Sequence, residues 1–162
     1  MKKIGLLSDT HSHWDERYAK HFALCDEIWH AGDIGTSEIA DKLNAIAQLR
    51  AVYGNIDGTE IRVQYPEVQR FRCEDVEVLM KHIGGYPGRY DRSIRNEIMA
   101  NPPRLFISGH SHILKVMMDK RLGILHINPG AAGTYGQQPV RTLIRFTIDG
   151  ADIKDLEIIE LN

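Results

Sequence analysis

Five short apolar runs in this chain each end in a polar cluster. Gly5-Leu6-Leu7 runs into Ser8-Asp9-Thr10-His11, and the same event recurs at His30-Ala31-Gly32-Asp33, Gly54-Asn55, Lys81-His82 and Gly109-His110-Ser111-His112. Carboxylates and imidazoles are costly beside apolar segments unless something satisfies them there. In the first third of the chain, helical stretches separate these runs. Residues 14–25 place Trp14, Tyr18, Phe22 and Cys25 at helical spacing, and residues 37–49 do so with Ile39, Leu43, Ile46 and Ala47, behind a cap at Thr36 or Ser37. Strands over 2–8, 27–31 and 49–53 complete a β-α-β-α-β pattern. Such a pattern demands parallel strands, right-handed crossovers and functional loops at the strands' carboxyl ends, where the polar clusters sit.

The remainder reads differently. Val68–Cys73 and Val76–His82, joined by Glu74-Asp75, have the pattern of a hairpin, and a helix over 91–100 stops at Asn101-Pro102-Pro103. A strand over 104–108 leads into Gly109-His110. Leu114–Met118 with Gly123–Ile127, and Val140–Ile148 with Ile153–Glu160, predict two further hairpins around Asp119-Lys120 and Asp149-Gly150. An αβ half followed, without a linker, by a mostly antiparallel half indicates the α/β class: two mixed β-sheets packed face to face, flanked by helices. At 162 residues the chain has the length of a single domain with a sizeable core, spanning 1–162.

Charge excludes some partners. The 20 basic and 22 acidic residues are interspersed, with a net charge of −2, so neither a basic groove for nucleic acid nor a patch for an anionic membrane stands out. Cys25 and Cys73 read as reduced packing residues. The apolar run after Lys2-Lys3 stops at Ser8, too short for a signal peptide, and no segment approaches the ~18 apolar residues of a membrane span. A cytoplasmic protein is expected.

Asp9 and His11, two apart at a strand end, point the same way in extended geometry and can grip one ion. Asp33, Asn55, His82, His110 and His112 add oxygen and nitrogen donors, most beside a glycine that permits close backbone approach. Mixed carboxylate and imidazole donors suit manganese, iron, zinc, cobalt or nickel better than calcium. So many donors around one shared carboxylate fit two ions about 3.5–4 Å apart better than one crowded ion. Two divalent ions, two aspartates and a hydroxide leave about one positive charge, which favours an anionic ester.

The blocks SDTHSH, HAGDIG, YGNIDG, KHIGGYPG, SGHSH and INPGAAG, in this order over residues 4–146, resemble the D-x-H, G-D, G-N, H-G and G-H-x-H blocks of the calcineurin-like metallophosphoesterases. The short chain resembles the small YfcE-like phosphodiesterase branch, which is related to the retromer subunit Vps29. This resemblance implies a four-layer α/β/β/α sandwich and a metal-dependent phosphoesterase. It implies a first metal held by Asp9, His11, Asp33 and His112, and a second held by Asp33, Asn55, His82 and His110, with Asp33 bridging. A hydroxide shared by the two ions would attack phosphorus in line, placing Asp33, Asn55 and His110 at the chemistry. Mn²⁺ is the expected ion, with Zn²⁺, Fe²⁺, Ni²⁺ or Co²⁺ as alternatives. Two positions depart from the family pattern. Ile56 stands where many members carry a histidine beside the phosphate, which leaves Asp57 without a ring to orient, and Ala131 stands where a serine is frequent.

Taken singly, these residues have ordinary readings: Asp9 and Asp33 as caps, residues 55–58 as a turn, His110 and His112 as loop histidines. Their joint placement at strand ends favours the metal reading. His30 reads as a buried or supporting histidine, His21 and His126 as structural, and His13 as a substrate contact. Residues 84–90 are either a turn before the next helix or a rim over the metals, with Arg89 on a phosphate oxygen and Tyr86 stacked on a base or aromatic ester. Arg141 poses the same choice.

The expected partner is a small phosphoester. Diesters are preferred, because no dedicated general acid and no clamp for a dianionic monoester is identifiable. No membrane and no nucleic acid is expected, and the branch suggests a homo-oligomer. The alternative is a non-catalytic protein-binding scaffold resembling Vps29.

Overall fold

In a computed structural model that describes all residues from Met1 to Asn162, the opening β-α-β-α-β pattern forms as its spacing predicts. Strands β1 (Lys2–Leu7), β2 (Glu27–His30) and β3 (Gln48–Ala51) lie parallel, and helices α1 (Glu16–Phe22) and α2 (Ser37–Ile46) cross over between them. Helix α1 is shorter than its apolar spacing suggests. Asp15 adopts an extended conformation and its side chain accepts the Arg17 amide, so the helix starts there, while Trp14 packs edge-on against Tyr18 from outside. Helix α2 gives way at Ala47, which is extended, and Leu49 is drawn into β3 with its amide on Asn44 Oδ1.

A single turn, α3 (Thr59–Arg62), precedes the hairpin of β4 (Val68–Cys73) and β5 (Val76–Lys81). The stretch read from sequence as a loop contains a two-residue hairpin, β6 (Gly85–Tyr86) with β7 (Arg89–Tyr90). Helix α4 (Arg92–Ala100) follows, capped by Asp91, whose carboxylate accepts the Ser93 amide. The chain ends through β8 (Leu105–Ile107), β9 (Lys115–Asp119), β10 (Ile124–Asn128), β11 (Thr142–Asp149) and β12 (Asp152–Glu160).

The strands form two five-stranded sheets, ordered β12-β11-β1-β2-β3 and β4-β5-β8-β10-β9. The second half is mostly antiparallel, as expected, with β4 on β5, β9 on β10 and β11 on β12. It also holds a parallel run that the hairpin pattern did not reveal: β5, β8 and β10 run parallel, with α4 as the crossover between β5 and β8. The sheets do not follow the halves of the chain. β11 pairs antiparallel with β1 and joins the first sheet, because β1 is apolar on both faces and needs a neighbour along each edge.

Period-two alternation then assigns the layers. Ile4, Leu6, Trp29, Ile144, Phe146 and Ile148 of the first sheet meet Val76, Val78, Met80, Leu105, Ile107 and Ile127 of the second in one buried cluster. The outer face of the first sheet carries Leu7, Ile28 and Leu143 against Tyr18, Phe22, Ile39 and Leu43 of α1 and α2. Leu79, Phe106 and Ile124 pack beneath Ile94 and Ile98 of α4. The result is four layers, α/β/β/α. No helix is long and apolar enough to cross a membrane. The carboxyl ends of the parallel strands β1, β2, β3, β5, β8 and β10 carry every polar cluster singled out in the sequence.

Candidate metal centre

After Leu7 the chain leaves extended geometry. Asp9 (φ 56°), His11 (φ 45°) and Ser12 (φ 66°) occupy the left-handed region, as do Asp33 (φ 57°), His110 (φ 71°) and His112 (φ 62°). The convergence of Asp9 and His11 therefore comes from a tight turn and not from the pleat of a strand, which corrects the spacing argument. Such conformations cost about 1–3 kcal/mol per non-glycine residue and persist only when the surroundings hold them. Here the holding is done by amides: Asp9 N donates to Gly32 O (3.0 Å), His11 N to Asp33 O (3.0 Å) and Ser12 N to Ile34 O (2.9 Å). Two glycines make room. A Cβ on Gly54 would overlap Asp33 and its amide, and one on Gly109 would strike Ser8 Oγ and Asp9 Oδ2.

These turns gather two trios. Donor atoms of Asp9, His11 and His112 lie within 4.8 Å of one another, and so do those of Asp33, His82 and His110. His112 Nε2 is 3.2 Å from Asp9 Oδ1, and His82 Nε2 is 3.2 Å from Asp33 Oδ2. The trios meet at Asp33, because His11 Nε2 also lies 3.3 Å from its Oδ2. Asn55 joins the second trio, with its Oδ1 3.1 Å from His110 Nδ1.

The residues present fit a divalent cation. Asp9 Oδ1, His11 Nε2 and His82 Nε2 are buried and have no hydrogen-bond partner in the protein. Buried polar atoms left in this state call for an explanation, and three converging ones share it. Asp9 Oδ2 is occupied by Ser8 Oγ (2.6 Å) and the His110 amide (3.2 Å), which leaves Oδ1 for the centre. His82 Nδ1 donates to Ala31 O (2.8 Å) and His112 Nδ1 to Gln138 Oε1 (3.0 Å). Those acceptors cannot donate, so the neutral rings present bare Nε2 lone pairs to the site, the usual outer bracing of ligating histidines.

Electrostatics follows the same division. Burial opposes the charge on Asp9, yet the His11 and His112 imidazoles hold its carboxyl below the usual range. Burial likewise opposes ionisation of Asp33, and the adjacent His82 imidazole more than compensates. Burial works against a proton on His82, but Asp33 raises its pKa; His112 is raised chiefly by the neighbouring Asp9 carboxylate. His110 is lowered, first by burial and then by neighbouring His82.

The substrate-facing expectations separate. Tyr86 lines a groove that begins at His110. Arg89, its partner across the β6–β7 hairpin, instead lines another cleft with Arg92, Arg95 and Arg121, and none of the seven candidate ligands borders that cleft. The His13 amide closes a turn on Thr10 O, and its ring makes no hydrogen bond. Arg141 is structural: its guanidinium donates to Ala132 O and Asp15.

Several supporting residues were not foreseen. Asp57, without a client in the sequence reading, accepts the amides of Ile34 (3.1 Å), Gly35 (2.8 Å) and Gly54 (2.8 Å), tying the loop after β2 to the loop after β3. His30, by contrast, supports the site as the sequence suggested: it is buried and its Nδ1 accepts the Gly32 amide, so its other nitrogen carries the proton and donates to Thr10 Oγ1, which in turn donates to Ile34 O. Gln138 and Tyr135, which stacks on His11 at 4.7 Å, come from a small polar loop with no signal beyond its composition. For Asp57, the signal was its place in a strand-end block.

Comparison with known proteins agrees with this architecture. A probable metallophosphoesterase of Methanothermobacter thermautotrophicus is 29% identical over 163 residues, spanning 96% of this chain and 91% of that protein. An archaeal phosphodiesterase has the same fold, with a TM-score of 0.79 at 20% identity over 98% of this chain and 99% of that one. Wild-type Vps29 of Entamoeba histolytica, solved in complex with zinc, shares the fold with a TM-score of 0.73 at 17% identity over 99% of both chains. Residues 1–151 match the calcineurin-like phosphoesterase superfamily domain, and the chain belongs to that superfamily.

Proposed function

We propose that the chain is a phosphodiesterase with two divalent cations, Mn²⁺ foremost, one held by Asp9, His11, Asp33 and His112 and the other by Asp33, Asn55, His82 and His110. The superfamily implies divalent metal and phosphoester hydrolysis. The observation that carries the finer assignment is the set of buried, partnerless atoms Asp9 Oδ1, His11 Nε2 and His82 Nε2 around Asp33 Oδ2. Bound there, divalent cations would supply Lewis acidity toward a phosphoryl oxygen and a water acidic enough to act near neutral pH.

The chain's own groups favour a monoanionic diester. Asn55 is exposed and its amide N–H groups make no bond within the protein, so they are free for a phosphoryl oxygen. The cations beside Asn55 and His82 are tied to loop carbonyls, Arg62 Nε to Asp57 O and the buried Lys81 to Ile83 O, so neither is a dedicated clamp for the second charge of a monoester. At position 56, the 46% exposed Ile56 has no proton to give a leaving group, which favours esters of acidic alcohols. We place the protein in the cytoplasm, in line with its two free cysteines.

The test is hydrolysis of bis(4-nitrophenyl) phosphate and 4-nitrophenyl phosphate by chelated protein, before and after Mn²⁺ is restored. Metal-restored diester cleavage that exceeds monoester cleavage, and that His110→Ala lacks, is expected. Equal rates on the two esters would remove the diester preference. The likeness to Vps29 supports a second reading, a protein-binding scaffold using the exposed Ile113, Val116 and Met118 beside the β9 edge. A folded protein that cleaves neither ester with Mn²⁺, Zn²⁺, Fe²⁺, Co²⁺ or Ni²⁺ would favour that reading.

A further inference from the structure

Three grooves open beside the candidate ligands. One of about 250 Å³ passes Asn55 and His82, and its cations Arg62 and Lys81 are engaged with carbonyls. A second, of about 560 Å³, passes His112 and Gln138, whose amide is bound to His112 and to the carbonyls of Gly133 and Tyr135. The third starts at His110 and is lined by Tyr86, Ser111, Lys115 and His126. At about 330 Å³ it falls within the range of small-ligand sites.

This third groove keeps an acceptor, a hydroxyl proton and an ammonium free of hydrogen-bond partners within the protein. His126 is 1% exposed, and its Nδ1 donates to Phe106 O at 3.1 Å. Burial pushes its pKa down to about 4, so the ring is neutral. Nε2 is therefore a bare acceptor, and no group of the protein donates to it. Lys115 has no carboxylate partner; its ammonium lies 4.1 Å over the Tyr86 ring and the two form one wall. Ser111 Oγ accepts from the Ile113 amide and from Asn128 Nδ2, which leaves its proton for a ligand. An aromatic wall, a cation, a hydroxyl donor and a buried acceptor thus surround a space that opens onto His110.

We propose that this groove holds one arm of the substrate and that the arm is a nucleoside: a planar base lying along the Tyr86–Lys115 wall, with an N–H donor on the base edge, such as an exocyclic amine, meeting His126 Nε2 and sugar oxygens near Ser111. The proposal rests on the phosphodiesterase reading above. A plain aryl arm would fill the space and leave His126 unsatisfied. A site built around a hydrogen bond discriminates against a ligand that cannot make it.

The experiment uses the Mn²⁺-loaded wild-type protein and two substrates, the 4-nitrophenyl esters of adenosine 5′-phosphate and of purine riboside 5′-phosphate. These differ by the exocyclic amine alone, so the comparison needs no variant. A preference of about tenfold in kcat/KM for the adenosine ester is expected, falling to about one in His126→Phe; Lys115→Ala should raise KM for both esters. Equal efficiency on the two esters, with diester cleavage intact, overturns the proposal and leaves the phosphodiesterase reading standing. If neither ester nor bis(4-nitrophenyl) phosphate is cleaved, the hydrolytic reading has failed. The groove is then judged by adding adenosine 5′-monophosphate to metal-free protein: displaced His126 imidazole signals in NMR sustain it, and unchanged signals overturn it.

Discussion

Asp33 and His82 are braced by backbone groups, whereas His11 and His112 are braced by side chains, and Asp9 by Ser8 together with the His110 amide. The Ile56 amide donates to Asp33 Oδ1 (3.1 Å), and His82 Nδ1 donates to Ala31 O (2.8 Å). In the other trio, Ser8 Oγ braces Asp9, Gln138 braces His112, and the 66% exposed Tyr135 stacks on His11. Backbone braces follow from the sheets and cannot be removed one at a time. Side-chain braces can, so the Asp9 trio is the half of the centre that single substitutions should loosen selectively.

The largest effect is expected where the trios meet. Asp33→Ala should lower metal-restored diesterase activity on the order of 10³-fold and abolish both cation-binding events in calorimetry; retention of one event would show that Asp33 is not shared. Next comes the clamp beneath the Asp33 trio. Asp57→Ala strands two buried amides and a part-buried one and should cost about 3 kcal/mol, read as a lowered denaturant midpoint with cation binding weakened at the Asp33 trio first. Gln138→Ala should weaken the cation of the Asp9 trio about 10–100-fold and leave the other within error. Equal weakening of both would erase the distinction drawn here.

Smaller effects sharpen the contrast. Tyr135→Ala removes one stack at an exposed position and should raise the dissociation constant of the same cation about threefold. A titration of the metal-free protein followed by imidazole NMR should separate the histidines. His112, beside Asp9, keeps its proton to higher pH than a free imidazole, and His110, partly desolvated and next to His82, gives it up at lower pH. The sign follows from linkage. What His112 adds to stability is fully present below its unfolded pKa and lost as pH rises through its folded value, while His110 works in the opposite sense. A reversed order of the two midpoints would contradict the geometry.

Much of the fold was legible because its causes are local. Alternation along β4, β5 and β11, the breaker Asn101-Pro102-Pro103 after α4, and strand-end clusters after β1, β2 and β5 are all visible in short windows. Boundaries shifted where a side chain chose them: Asp15 took the cap that moved the start of α1, and Ala47 released Leu49 to β3. The parallel run of β5, β8 and β10 was not legible, because strand partners are set by packing between distant segments. Asp9 and His11 were singled out together for a reason the structure replaces. Their proximity comes from left-handed turns anchored on Gly32, Asp33 and Ile34, and a linear pattern carries no φ angle.

By itself the sequence determined the main strands and helices and which donors stand at the strands' carboxyl ends, since periodicity, capping and turn chemistry act over a few residues. Only the tertiary structure decided that Asp33 Oδ2 lies between two trios, that Tyr86 borders a groove at His110 while Arg89 borders another cleft, and that Asp57 and Gln138 brace the centre. Each of these depends on how loops from two sheets close against one another. Such closures join residues far apart in the chain, and their geometry is set by the packed core beneath them.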